Sequence, residues 1–212
     1  VDKNGRVDAE SVRSAITDKT ILVTIMYGNN EIGTIEPIGE IGKVISEINK
    51  KRLSSGAQQV YFHTDAVQCA GKIPINVQKL GVDLLSISAH KFYGPKGIGA
   101  LYIKKGTKIQ PLIFGGHHEK SRRAGTENVA GIVGLGKACE VASSKMEKES
   151  IRLAKLRDYL FDNINKKLTF VYRNGDAANN IANTLNISFE FIEGESLLLN
   201  LDLKGIAAST GS

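Results

Sequence analysis

The sequence predicts an α/β fold built on a mostly parallel sheet. Three apolar runs of strand length, residues 21–26, 60–64 and 82–89, are separated by a helical segment and a polar link. Near-continuous apolar strands of this kind are typical of parallel sheets that helices cover on both faces. Ligands of such sheets bind beyond the carboxyl ends of the strands. Polar residues that directly follow the three runs therefore mark the expected functional site.

A helix is predicted between the first two strands. Apolar side chains recur at helical spacing over residues 38–48, and Pro37 suits a first helical turn. This helix is expected to stop near residues 54–56, where serine and glycine follow one another. Ahead of the first strand, residues 11–17 are expected to end a short helix.

The second apolar run ends at Asp65, and the third ends at His90 and Lys91. Three glycines then turn the chain into a fourth strand, residues 99–103.

The second half of the chain has a different pattern. Residues 128–168 keep roughly helical spacing, with a break expected near Ser143 and Ser144 or later. Residues 185–191 alternate as in a half-buried strand. Residues 195–201 are expected to form a short helix and residues 205–209 a further strand.

Two domains are expected from this change of pattern. Residues 1–146 would form a large sheet domain, and residues 147–212 would begin a smaller α+β domain.

Composition and charge exclude several classes of protein. With 212 residues, 42% of them hydrophobic, the chain can bury a sizeable core. No apolar run approaches the roughly 20 residues of a membrane-spanning helix. The net charge of +6 is scattered, without an aromatic platform, so direct nucleic-acid binding is not expected. Cys69 and Cys139 are far apart, which fits a reducing compartment and two small buried side chains.

Both ends of the sequence resemble cut ends. The chain opens on Val1 in a polar segment and closes on Ser212 in a run of small residues. We therefore expect it to be an internal fragment of a longer protein.

Lys91 and Asp65 together predict a site for pyridoxal phosphate (PLP). Each follows an apolar strand, and a lysine buried there is costly unless its amine has a chemical task. Forming a Schiff base is such a task, because a desolvated amine is a nucleophile. PLP takes a lysine on its aldehyde and an acid on its pyridine nitrogen. Taken singly, the lysine is more simply a surface residue and the aspartate a turn former or helix cap.

Other polar residues near these strands fit the same cofactor. Gln68 could reach the ring oxygen, Ser88 and His90 could hold the phosphate, and Asn30 could bind the cofactor or a substrate carboxylate. Each of these residues alone is also compatible with a purely structural hydrogen bond.

Three further motifs carry residues that can bind phosphates or metals. The segment GPKGIG lacks the spacing of a phosphate-binding loop and precedes a strand, so it predicts no nucleotide site. His117, His118 and Glu119 lack metal-ligand spacing, and no metal is expected. The segment RRAGTENV offers two arginines and Thr126 to a phosphate or carboxylate, or else begins a helix that Thr126 caps.

The residues closely resemble the cysteine desulfurases, PLP enzymes of the aminotransferase class V group. The matching segments span nearly the whole chain and include FHTDAVQCAGKIPINV, GVDLLSISAHKFYGPKGIGALYI and GGHHEKSRRAGTENVAGIVGLGKA. The core HKFYGPKGIGALY is highly specific. The resemblance implies the PLP fold type I (aspartate aminotransferase-like), with a large, mixed, mostly parallel sheet domain and part of a small C-terminal α+β domain.

The resemblance also implies roles for seven residues. Lys91 would be the Schiff-base lysine and would act in catalysis with His90, which also binds phosphate. The remaining cofactor contacts would be Asp65 at the pyridine nitrogen, Gln68 at the ring oxygen, Ser88 at the phosphate, Asn30 near the substrate and Thr126 at the phosphate of a neighbouring subunit.

The implied reaction takes sulfur from L-cysteine, leaving L-alanine and an enzyme-bound persulfide. That sulfur would pass to an iron–sulfur scaffold or another acceptor protein and would also serve tRNA thiolation. The protein would be a homodimer of the cytoplasm, or of mitochondria if the source is eukaryotic.

The chain departs from the family at both ends. The family's catalytic cysteine follows a run resembling STGS, where this sequence ends, and the family's N-terminal part supplies a histidine and a threonine to the cofactor. The fragment alone is therefore expected to be inactive. The segment NKKRLSSGAQQ is similar to that of selenocysteine lyases, which is the second hypothesis; a non-catalytic scaffold that binds a sulfur acceptor is the third.

Overall fold

Four strands form the main sheet of a computed structural model that describes residues 1–211. The strands β1 (Leu22–Met26), β2 (Tyr61–Asp65) and β3 (Leu84–Ser88) run parallel and lie side by side in that order. The fourth strand, β4 (Gly99–Ile103), pairs antiparallel with β3. The predicted mixed, mostly parallel sheet is confirmed.

Three helices cover one face of this sheet. They are α1 (Ala9–Ala15), α2 (Ile38–Ser54) and the single turn α3 (Val77–Leu80). Their apolar side chains pack with alternate residues of the strands, such as Phe62 and Leu85, in one buried cluster. The alternation of side chains along a strand sends the neighbouring residues to the other face.

The other face of the sheet, called here the open face, stays accessible. Leu22, Met26 and Leu101 are each 44–48% exposed on it. The prediction that helices cover both faces is therefore wrong for the described residues. β1 alternates between exposed and half-buried positions, which indicates a strand buried on one side only.

The two helices after β4 differ greatly in length. The first, α4 (His118–Ser121), is one irregular turn. The second, α5 (Val129–Lys167), runs unbroken for 39 residues. The expected break near Ser143 and Ser144 is wrong, because the Ser144 hydroxyl donates to the Val141 carbonyl within the helix, 2.8 Å away.

The start of α5 also corrects a predicted cap. The side chain of Asn128, not that of Thr126, accepts a hydrogen bond from the Gly131 N–H, 3.0 Å away. The proposed domain boundary between residues 146 and 147 falls inside this continuous helix and stays a prediction.

A second, two-stranded antiparallel sheet follows α5. It consists of β5 (Val171–Asn174), which the sequence pattern did not predict, and β6 (Asn186–Phe189), which lies in the predicted strand. The helix α6 (Gly194–Asp202) confirms the short helix predicted over residues 195–201. The strand expected over residues 205–209 is wrong, because those residues form a turn followed by unpaired chain.

Close contact between α2 and the end of α3 depends on one glycine. A Cβ atom on Gly42 would collide with the Leu80 carbonyl oxygen, whereas a Cβ on Gly39, one turn earlier, would lie 3.6 Å from the Lys79 oxygen. Both glycines belong to α2, so replacement by alanine gives each the same gain in helix propensity.

We expect Gly42→Ala to lower the free energy of unfolding by roughly 1–3 kcal/mol, because the helix must move away from Leu80. Gly39→Ala is the matched control and is expected to leave stability unchanged or raise it by about 0.5–1 kcal/mol. Urea denaturation of the two variants checks this. Equal stabilities would show that the close approach is not a constraint.

Candidate active site

Parallel pairing brings the carboxyl ends of β1, β2 and β3 to one edge of the sheet. Met26, Asp65 and Ser86 are register partners across the three strands. The Asp65 side chain is exposed on the open face, where one carboxylate oxygen accepts the Val67 N–H at 2.9 Å. This bond holds the carboxylate at the point where the strand becomes a turn.

The turn after β2 presents Gln68 and a lysine that sequence reasoning missed. The Nζ of Lys72 donates to the Oε1 of Gln68 at 3.4 Å, which leaves the Gln68 amide N–H groups available to an acceptor. Burial lowers the pKa of Lys72, and the positive charge of Lys91 lowers it further. The two lysines therefore face a common region, although they follow different strands.

A 3₁₀ turn, Ala89–Phe92, carries Lys91 directly after β3. Ala89 and Phe92 are buried beneath it, and His90 and Lys91 between them are exposed. Three residues per turn place the first and fourth residues on the same side, so the two between them face outward. The expectation of a buried Lys91 is wrong. Its amine is accessible, and the case for its chemistry depends on its place rather than on desolvation.

Ser88 and His90 form a pair beside Lys91. The Oγ of Ser88 lies 2.9 Å from the Nδ1 of His90, so the hydroxyl and the ring are fixed relative to each other. In the neutral pair one group donates to the other, which leaves a single N–H or O–H to donate to an anion.

A cavity of about 510 Å³ lies between the Lys91 turn and α5. Its lining includes Lys72, Lys91, Met146 and Ser150. The Ser150 hydroxyl donates to the Lys72 carbonyl at 2.6 Å, which ties the middle of α5 to the turn that carries Gln68.

Asn30 and Thr126 come from other parts of the chain. Asn30 follows β1 and is exposed, while its neighbour Asn29 shapes the loop by accepting the N–H groups of Glu31 and Ile32 at 2.8 and 2.9 Å. Thr126 is exposed in the loop before α5. The structure thus gathers Asp65, Gln68, Ser88, His90, Lys91 and Asn30 near the strand ends, and Thr126 lies in a separate loop.

A second residue missed by sequence reasoning is His63 on β2. Its Nδ1 lies 2.7 Å from the Thr24 hydroxyl on β1, and its Nε2 lies 2.9 Å from the Ser86 hydroxyl on β3. Burial lowers the pKa of His63, and the Asp65 carboxylate offsets part of that effect. The signal was present in the sequence YFHTD, whose period of two places His63 and Asp65 on one face.

The donor set fits PLP. It offers an acid for the pyridine nitrogen, an amide for the ring oxygen, a hydroxyl–imidazole pair for the phosphate and an accessible amine for the aldehyde. Within residues 1–211, no group of three or more His, Cys, Asp or Glu side chains is placed to hold a metal ion. In the same residues, no helix is long and apolar enough to cross a membrane.

The two cysteines have different surroundings. Cys69 is fully buried below the Gln68 turn, and burial raises the pKa of its thiol to about 12. Cys139 is exposed on α5, so the expectation that both are buried holds only for Cys69. A thiol with so high a pKa is a poor nucleophile at neutral pH.

We expect iodoacetamide to alkylate Cys139 and to leave Cys69 unmodified in the folded chain, because only Cys139 is accessible. Mass spectrometry of tryptic peptides before and after addition of guanidinium chloride measures both sites. Rapid labelling of Cys69 in the absence of denaturant would contradict the burial and the raised pKa.

Comparison with known proteins gives a consistent result. The family model described as aminotransferase class-V matches residues 1–212. Cysteine desulfurase IscS of Dictyoglomus turgidum is 57% identical over 212 residues, which are 100% of this chain and 51% of that protein. The chain thus spans about half the length of the curated relatives it matches.

Solved structures agree with this match. A NifS-like protein superposes with a TM-score of 0.90 at 40% identity, over 99% of this chain and 55% of that one. SspA in complex with cysteine superposes with a TM-score of 0.75 at 35% identity, over 99% and 55% of the two chains.

Proposed function

Because the chain belongs to the aminotransferase class-V family, we propose that it forms the cofactor-binding part of a PLP-dependent cysteine desulfurase. Its mixed α/β sheet is that of PLP fold type I. The observation that carries the proposal is the placement of Asp65 and Lys91 at the carboxyl ends of neighbouring parallel strands, on a chain 57% identical to a desulfurase.

PLP, when bound, supplies an electron sink for bonds at the substrate α-carbon. The Asp65 carboxylate would hold a proton at the pyridine nitrogen, and the Gln68 amide would donate to the ring oxygen. Lys91 would bind the aldehyde through its amine and afterwards move protons at the substrate.

The phosphate would be held by the Ser88 hydroxyl and the His90 ring. Asn30 would lie at the substrate. Thr126 would reach the phosphate of a second copy in a homodimer, which agrees with its exposure before α5.

The proposed substrate is L-cysteine, in line with the names of the relatives and with the cysteine complex of SspA. A cysteine thiolate would attack the substrate sulfur and form the S–S bond of a persulfide. The electron pair of the broken carbon–sulfur bond would stay with the β-carbon, which takes a proton, so that L-alanine remains. Burial makes Cys69 unsuited to that nucleophilic role. The family's own cysteine follows an STGS run, whose last residue here, Ser212, lies outside the described residues.

Delivery of the sulfur is part of the proposal. An iron–sulfur scaffold or another acceptor protein would receive it, with tRNA thiolation as a further use, in the cytoplasm. Residues 1–146 would form the large domain and residues 147–212 the start of the small one.

The test places these 212 residues in a full-length enzyme. A chimera in which they replace the matched half of the Dictyoglomus turgidum desulfurase is expected to be yellow and, with dithiothreitol present to reduce the persulfide, to release sulfide from cysteine. Borohydride reduction and peptide mapping should then find the pyridoxyl group on Lys91. Lys91→Ala should lose the label and lower sulfide release about 10²–10⁴-fold.

Lys96→Ala is the control, because Lys96 is an exposed lysine of the same glycine-rich segment and should keep both label and activity. A label on another lysine would refute the assignment. Release of selenide from selenocysteine without sulfide from cysteine would favour a lyase. A chimera that binds a sulfur acceptor but no PLP would favour a scaffold.

A further inference from the structure

We propose that His63 is a positioning residue for Asp65. Its ring ties three strands together beside the Asp65 carboxylate, and it supports the role of that carboxylate only while the ring is neutral. This inference rests on the proposed function, because the task given to Asp65 is that of the acid at the PLP nitrogen. It adds a residue outside the set of cofactor contacts.

The tie between the strands consists of two hydrogen bonds of the His63 ring. His63 and Asp65 belong to β2 and point to the same open face, two residues apart. The His63 ring reaches sideways to Thr24, its register partner on β1, and forward to Ser86, the register partner of Asp65 on β3. Both ring nitrogens are thereby engaged, at 2.7 and 2.9 Å.

This tie restrains the position of β2, the strand that carries Asp65, relative to β1 and β3. Backbone pairing, the helices packed on the opposite face and the bond from the Thr64 hydroxyl to the Ile25 carbonyl, 2.8 Å long, hold neighbouring strands together. On the open face, the side-chain links of His63 also resist a change in strand spacing. Thr24 is exposed there and Ser86 half-buried, so apolar packing contributes little. Loss of the ring would remove the side-chain links beside Asp65 on the open face and leave those of the buried face, such as the Thr64 bond to β1.

The charge of the ring matters because the ring interacts with the Asp65 carboxylate, two residues along β2. On the same face β2 also presents Tyr61, and β1 and β3 present only uncharged side chains: Leu22, Thr24, Met26, Leu84, Ser86 and Ser88. Of the charged groups, only Asp65 acts on the pKa of His63, and it opposes the effect of burial. With a neutral ring, Asp65 is the one charged side chain among the residues that β1, β2 and β3 present on this face.

Protonation would alter that arrangement. A protonated pyridine brings a positive charge to Asp65, and a positive imidazole on the same strand would compete with it for the carboxylate. Binding of the cofactor and protonation of His63 should therefore oppose each other. A purely structural tie would not behave in this way, because the two hydroxyls can accept hydrogen bonds from the charged ring as well.

The first measurement needs no cofactor. The chain has four histidines, so imidazole NMR signals can be followed individually, and His63→Gln identifies the signal of His63. We expect Asp65→Asn to move the titration of His63 to lower pH, because the carboxylate that favours the charged ring is lost. The control Asp18→Asn, in the exposed segment before β1, should not move it.

The second measurement uses the chimera described above and follows PLP affinity by absorbance. His63→Phe keeps a ring but loses both hydrogen bonds, and it should bind PLP about 10-fold more weakly at neutral pH. A loss of about this size is found in metal sites when the hydrogen-bond partner of a ligand side chain is removed. His63→Gln can bond to one or both hydroxyls but cannot be charged, so it should bind close to the parent at neutral pH. At pH values below the midpoint of the His63 titration measured by NMR, the parent chimera should lose more affinity for PLP than the His63→Gln variant does.

The outcomes separate this inference from the proposed function. If the parent chimera carries the pyridoxyl group on Lys91, but His63→Phe binds PLP as the parent does, the positioning role is refuted. If His63→Gln follows the parent at every pH, or Asp65→Asn leaves the titration of His63 in place, the requirement for a neutral ring is refuted. Absence of the Lys91 label in the parent chimera would instead refute the proposed function.

Discussion

The register of the three parallel strands is the constraint on which the rest of the site depends. Packing of α2 against Phe62 and Leu85 fixes which face of each strand is buried. A slip of one residue would exchange the two faces and turn the Asp65 side chain into the core. The polar groups at the strand ends lie at one edge of the sheet because the apolar residues of each strand can pack against the helices in only one register. The close approach at Gly42 is part of the same packing.

Much of this could be predicted from the pattern of the sequence. Continuous apolar runs defined the strands, and the polar residues that ended them marked Asp65 correctly as a strand-end residue. The surroundings of Lys91 could not be predicted, because its exposure depends on a 3₁₀ turn that buries Ala89 and Phe92 instead. β5 was missed since only four residues pair, and its arginine and asparagine give no apolar alternation.

Two further errors concern polar side chains whose hydrogen-bond partners the sequence does not show. Ser143 and Ser144 predict a break in α5. The Ser144 hydroxyl instead donates to the Val141 carbonyl of the preceding turn, so its hydrogen bond is made within the unbroken helix. The alternation in YFHTD places His63 on the same face as Asp65 but does not show which groups the histidine meets. Its importance arises from partners on two other strands, a kind of contact that local pattern cannot indicate.

The bond from Ser150 to the Lys72 carbonyl fixes the middle of α5 to the turn that carries Gln68. From Ser150 to its end at Lys167 the helix extends roughly 26 Å, and β5 begins a few residues later. The second sheet that follows is itself held to the loop after β1, because the Asn186 amide on β6 donates to the Glu31 carbonyl at 3.4 Å. A displacement of the second sheet would therefore reach the candidate site from two sides, through α5 at the Gln68 turn and through the loop that carries Asn30.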